Sequence, residues 1–204
     1  IMSKSSGFIK DALILFAITL VSGTALGAVY GITKDPIDKT KNAAKYAAYQ
    51  EVLPAAAEFD EEGMKEKIDA SAADLMAQGW GNVYIDSAAA AKDASGNAVG
   101  YVISSTSKDG FGGEVKITVG IDGENKITGI AFLSLSETPG LGMNAQNPEF
   151  YGQYAGKDAQ PLSVVKGGGA GDAEINAMSG ATITSSAVTN AVNAATYFAV
   201  NCAQ

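Results

Sequence analysis

Residues 114–135 read EVKITVGIDGENKITGIAFLSL. Glu114 to Ile121 and Lys126 to Leu135 are both rich in β-branched residues and partly alternate apolar with polar positions, the period of a half-buried strand. Asp122-Gly123 lies between them and suits a hairpin turn, with Glu124 and Asn125 lengthening the loop. Upstream, Ala98 to Thr106 (AVGYVISST) is a third run of the same kind, and strand signals begin near residue 83. Downstream, the spacing predicts a helix near Thr184 to Asn201. It sets Val188, Val192 and Ala195 along one face with Phe198 close by, the face expected to pack on a sheet. Between them, residues 151–178 are loop-rich, and Gly167-Gly168-Gly169 marks a flexible connection. The expected domain is α+β, a twisted, mostly antiparallel sheet flanked by helices.

The N-terminal part is of another kind. Ala12 to Ile32 is a run of 21 residues without a charge, preceded by Lys4 and Lys10 and followed by Lys34 and Asp35. At about 1.5 Å per residue it spans a hydrocarbon core of about 30 Å. The run exceeds the apolar region of a typical signal peptide, and no clear small-x-small cleavage site ends it. A single retained transmembrane helix is therefore expected. Gly23, Gly27 and Gly31 recur every four residues beside Ser22 and Thr24, a stripe along which another membrane helix could approach closely. Asp35-Pro36 then reads as a helix start, Ile37 to Leu53 as an Ala/Lys-rich helical stalk that Pro54 ends, and residues 58–78 as polar and weakly helical. The division expected is 1–34 with the span, 35–80 as stalk, and 81–204 as the domain.

Absences narrow the chemistry. The chain has no histidine, no arginine and one cysteine, Cys202, for which no role is expected. A haem held by a protein histidine, a triad with histidine and a histidine-containing zinc site are excluded. One thiolate cannot hold an iron–sulfur cluster within the chain. From residue 35 onward eleven lysines stand against twenty-one acids, a net of −10, and with no arginine this argues against nucleic-acid binding. Any redox chemistry must reside on an organic cofactor. Lys39, Lys41 and Lys45 would by a plain lysine count hold the C-terminal part inside, but long domains translocate largely regardless of charge.

Three glycine-bearing segments punctuate the domain: Gly110-Phe111-Gly112-Gly113, Glu137-Thr138-Pro139-Gly140-Leu141-Gly142, and Ser179-Gly180-Ala181-Thr182-Ile183-Thr184. The first two suit turns, and glycine also lets backbone approach a flat ligand. The third precedes the C-terminal helix, where free N–H groups and the positive helix end favour an anion; more simply, Ser179 or Thr184 caps the helix. Of the aromatics, Trp80, Tyr84 and Tyr101 read as core, Met143 as packing, and Phe111 alone as a candidate for stacking on a ligand.

In order and spacing, GFGG, a following V-G-I-D strand, E-T-P-G-L-G and S-G-A-T-I-T-S resemble the FMN-binding domain of the G subunit of the Rnf electron-transport complex, a family related to the C subunit of the sodium-pumping NADH:quinone reductase. The resemblance covers about residues 95–200 by motif. It implies FMN carried covalently on Thr182 through a phosphoester, with Ser179, Gly180 and Ala181 completing the motif read by a flavin transferase. It also implies a flavin site lined by Glu137, Thr138, Gly140, Leu141 and Gly142. Asn176 stands where the family usually has Asp, keeping an acceptor oxygen without the charge. The implied role is a one-span relay in the cell membrane, among lipid and the other Rnf subunits, with its FMN domain on the extracytoplasmic side. The complex would be an ion-translocating ferredoxin:NAD⁺ oxidoreductase. No catalytic residue and no metal are expected of this chain. It has no G-x-G-x-x-G after a strand for NAD, and no ionisable group within the span for an ion path. An exported free-standing flavoprotein, a quinone-reductase subunit and a non-redox ligand-binding module are the alternatives.

Overall fold

The structure, a computed structural model, describes residues 5–203. It falls into two units, one up to Ala44 and one from Lys45. The first unit is helical and belongs to α1 (Ser5–Val52), which runs on into the second. Asp35-Pro36 therefore does not start a helix: α1 passes through it, although Pro36 can give no N–H to the carbonyl four residues earlier. Phe8–Lys34 is long and apolar enough to cross a membrane, with no part of its most apolar window buried. Inside this stretch the Thr19, Thr24 and Thr33 hydroxyls donate to the carbonyls of Leu15 (3.0 Å), Leu20 (2.7 Å) and Val29 (2.8 Å). Each hydroxyl thus satisfies itself within the helix, as a lipid environment demands.

The second unit is built on a five-stranded sheet in the order β1-β2-β3-β4-β5, every pair antiparallel. Its strands are β1 (Glu58–Asp60), β2 (Val83–Lys92), β3 (Ala98–Ser107), β4 (Val115–Asp122) and β5 (Ile127–Leu135). Residues 58–78, expected to be polar and weakly helical, hold a short strand as well as a helix. β1 pairs with the end of β2, and α2 (Met64–Ala77) buries Met64 and Leu75 in the core. Three residues flanked by acids carry no strand period, so β1 was not legible as one.

Alternation along β4 separates the two faces. Val115, Ile117, Val119 and Ile121, all fully buried, face the cluster formed with α4 (Thr182–Asn201), which supplies Ala187, Val188, Ala191, Val192, Ala195 and Phe198. The opposite face, with Ala89, Ala91, Val102 and Ala131, is covered by the last turns of α1 through Tyr49, Val52 and Leu53. Tyr49 bonds Ser87 Oγ at 2.9 Å and meets Phe59 edge to face at 5.2 Å, and the Thr128 hydroxyl bonds the Val52 carbonyl. The sheet is thus sandwiched between helices, with a face of α4 sitting where its apolar spacing placed it.

The segment from 151 to 178, expected to be loop-rich, and the residues just before it carry more order. A 3₁₀ turn (Gly142–Gln146) and α3 (Pro148–Tyr151) precede β6 (Ser163–Val165), which pairs in parallel with β7 (Glu174–Asn176). Side-chain amides dock this ribbon by mimicking a strand partner. Asn193 on α4 accepts from Leu162 N (2.8 Å) and donates to Leu162 O (2.9 Å). Gln153 does the same for Asn176, accepting from its N–H (2.8 Å) and donating to its carbonyl (3.3 Å). Tyr154 is buried under the same helix and bonds Thr189 Oγ1 at 2.8 Å. Burial pushes its hydroxyl pKa up, against the opposing pull of the Thr189 bond, so it remains neutral.

Phe198 is fully buried at the sheet-facing side of α4, one residue after Tyr197, whose ring meets Trp80 at 5.8 Å. Phe198→Ala should cost about 3–5 kcal/mol by transfer and cavity terms. Guanidinium unfolding of the full chain in detergent, followed by Trp80 fluorescence, should show a clearly lower midpoint; an unchanged midpoint would remove α4 from the core.

Candidate functional site

The site is assembled where α4 begins. The helix starts at Thr182, two residues earlier than its apolar pattern suggested. Neither Ser179 nor Thr184 caps it: Ala181 holds the cap position without a side-chain hydrogen bond. The entry is fixed instead by Ser185, which the sequence did not flag. Its hydroxyl accepts from Met178 N at 3.0 Å and donates to Ala181 O at 2.9 Å, and Ala181 N returns to Met178 O at 3.1 Å. This latch turns residues 178–181 back across the helix end. The first N–H groups of the helix have no carbonyl one turn earlier to bond, and no acid sits in that turn, so the positive end stays uncompensated.

Opposite this end lies the Glu137–Gly142 segment. Leu141 N donates to Thr138 O at 3.1 Å and Gly140 has φ +76°, a type II turn with Pro139 and Gly140 at its centre. Gly142 sits where no side chain fits. A Cβ there would meet Thr184 Oγ1 at 2.7 Å and Glu137 Cβ and Oε2 at 2.8 Å. Glu137 is buried, and its carboxylate is engaged by backbone. Oε1 accepts from Phe111 N at 2.8 Å and Oε2 from Gly112 N at 3.1 Å. One side chain thereby ties the GFGG loop to the E-T-P-G-L-G turn.

These three segments enclose a cavity of about 300 Å³. Glu137, Thr138, Leu141, Gly142, Gly180, Ala181 and Thr182 line it together with Phe111, Ile183 and Thr184. Of the expected site residues, Gly140 shapes the turn and does not line the cavity. Ser179 opens instead onto neighbouring cavities of about 490 and 310 Å³. Phe111, Leu141 and Ile183 are 70, 44 and 54 % exposed, three apolar side chains held at a cavity mouth. Thr182 is partly buried, whereas Thr184 is buried at 1 % exposure behind Gly142. Asn176 lies off this cavity; its Oδ1 accepts from Ala170 N at 3.2 Å, a role either an amide or a carboxylate fills. Trp80 and Tyr101 pack against the core and Tyr84 under Lys108, all away from the cavity. A larger cavity of about 610 Å³ between α2 and β2 contains none of the three glycine segments.

The arrangement suits a flat, anionic ligand: apolar side chains at the mouth, backbone pressed close by glycine, and a helix N-terminus beside a hydroxyl. Comparison with known proteins agrees. Residues 110–196 match the family described as FMN-binding domain, so the fold and site define a protein with an FMN-binding domain and an apolar N-terminal helix. The chain is 38 % identical over 188 residues to the G subunit of the Na(+)-translocating ferredoxin:NAD(+) oxidoreductase complex of Acetobacterium woodii, covering 90 % of this chain and 87 % of the relative. With the G subunit of the ion-translocating oxidoreductase complex of Methanosarcina acetivorans it shares 32 % over 196 residues, 95 % of each. The crystal structure of Shewanella oneidensis NqrC superposes on 52 % of each chain, with 25 % identity and a TM-score of 0.47. The chain belongs to the G-subunit family of ion-translocating (Rnf) oxidoreductase complexes.

Removing the Glu137 carboxylate takes the acceptor from two loop N–H groups on exposed residues, where water can replace it, a loss of roughly 1 kcal/mol per bond. Glu137→Ala should therefore lower the unfolding midpoint and raise hydrogen exchange at residues 111–113. Glu137→Gln, which keeps one acceptor, should fall between it and the wild type. Equal exchange in all three proteins would show that the loop is held by other contacts.

Proposed function

We propose that this chain is the electron-relay subunit of an ion-translocating ferredoxin:NAD⁺ oxidoreductase complex, carrying FMN through a phosphoester on Thr182 Oγ1. The observation that supports it best is the position of that hydroxyl. Thr182 opens the first turn of α4, lines the cavity walled by the GFGG and E-T-P-G-L-G segments, and is more accessible than Thr184. A cavity of about 300 Å³ is at the small end for organic ligands, and would suit a flat ring system tethered at Thr182.

FMN, when bound, supplies reversible one- and two-electron transfer. The chain's own residues do the rest. The N-terminal N–H groups of α4 would hold the phosphate, which as a diester carries a single charge and so can dispense with arginine. Phe111, Leu141 and Ile183 at the cavity mouth would shield the ring from water, while Glu137 and Gly142 keep the two opposing segments in register. Ser179, Gly180 and Ala181, shaped by the Ser185 latch, present the threonine to a flavin transferase. No group in the chain is assigned as an acid or base. The charge-free run 12–32 leaves the ion path to partner subunits, and the domain faces the extracytoplasmic side, where a tether prevents loss of a flavin that is not easily replaced.

Intact mass and in-gel fluorescence after denaturation test this on the native full chain. The wild type should gain the mass of FMN less one water and fluoresce; Thr182→Ala should do neither. Unmodified wild type from its native host would overturn the reading, and label retained in Thr182→Ala would move attachment to another hydroxyl.

A further inference from the structure

Gly180 and Thr182 belong to the walls of two cavities. One is the 300 Å³ cavity; the other, of about 490 Å³, is lined by Lys166, Gly167, Gly168 and residues 177–180 as well as Thr182. Resting on the attachment just proposed, we propose that Lys166 and the N–H groups of Gly167 and Gly168 complete, with the first N–H groups of α4, the clamp for the phosphodiester carried on Thr182. The ring then lies on the apolar side and the charge on the other.

Charge supports the division. The chain carries a net −8, and no basic residue lines the 300 Å³ cavity. Lys166 is the one basic residue lining its neighbour, and among the described residues it makes neither an ion pair nor a hydrogen bond. Lys157, on the same side of the fold, is by contrast spent: it donates to Gly171 O and Asp172 O, both at 2.9 Å, and so steadies the far end of this loop.

The backbone supports it too. Gly167, Gly168 and Gly169 have φ of 89, 83 and 80°, and none of their N–H groups bonds to a described residue. The flanks are pinned, since Ala177 N donates to Val165 O at 2.8 Å and Ala170 N to Asn176 Oδ1. A run of exposed N–H donors beside an ammonium without a protein partner, in a loop held at both ends next to the Thr182 hydroxyl, offers a phosphate both hydrogen bonds and an opposite charge. Through its bond to Ala170, Asn176 becomes a support for the clamp, which gives its position a purpose without any contact to the flavin.

The full chain, produced with its flavin transferase, carries the test in three forms: wild type, Lys166→Gln and Lys166→Arg. Intact mass reports attachment, and phosphorus NMR with flavin fluorescence anisotropy reports how the diester is held. In Lys166→Gln the phosphorus resonance should move toward that of a free diester and lose its dependence on ionic strength, and the flavin should gain fast local motion; Lys166→Arg should restore the wild-type signals. A loaded Lys166→Gln with unchanged resonance and anisotropy would overturn the clamp while leaving attachment at Thr182 intact. If Lys166→Gln loads poorly, restored loading in Lys166→Arg supports the charge, and failure of both overturns it. Wild type without added mass would overturn the attachment and the clamp together.

Discussion

The burial of α4 against the sheet is the constraint on which the other features depend. Most of its sheet-facing residues are alanine and valine, so the helix axis comes close to β3 and β4, and Ser105 Oγ reaches the Ala191 carbonyl at 2.8 Å. At that separation lateral shifts of the helix are costly, because interiors packed to crystal density lose contacts over fractions of an ångström. The first turn of α4 therefore stands at a defined height above the strand ends. The loops that follow β3 and β5 come to it there. Polar side chains extend the same control outward: Asn193 clasps Leu162, the residue before β6, Tyr154 is tied to Thr189, and Ser185 folds the entry segment back.

Glu137 illustrates how a residue expected at a ligand site can serve the architecture around it. The motif put it at the flavin site, and it does line the cavity. Yet both carboxylate oxygens accept backbone N–H groups from Phe111 and Gly112, so its geometry speaks for bracing the opposite loop. A buried carboxylate without a lysine beside it is costly unless backbone donors satisfy it, and here they do.

What the sequence disclosed and what it hid follow from range. The apolar span, strands β2 to β5 and the core face of α4 are written in local periodicity, and the type II turn at Pro139-Gly140 is written in four residues. Strand β1 exists only because Lys92, Ala91 and Ala90 wait for it across the chain, and three residues beside an acidic run leave no period to see. The β6–β7 ribbon has the same defect, its short strands separated by glycines. Pro36 looked like a beginning because proline favours the first turn, whereas a long helix can carry one in its interior at the loss of one bond. The Ser185 and Asn193 bonds join side chain to backbone across gaps of 7 and 31 residues, beyond any pattern of residue types.

The order of elements along the chain has a consequence for the moment at which the site comes into being. Strands β2 to β5 pair each with its neighbour in sequence across short connections, so that part of the sheet can grow by successive hairpins of low contact order as the chain emerges. The helix that covers its apolar face is the last element. Until α4 docks, Gly142 has no Thr184 to press against, Met178 has no Ser185 hydroxyl to bond, and Thr182 has no cavity. An enzyme that reads the shape around Thr182 would meet that shape only on a finished domain. Modification of this residue would then act as a proofreading step, marking molecules whose C-terminal helix has reached its place and passing over those still in assembly.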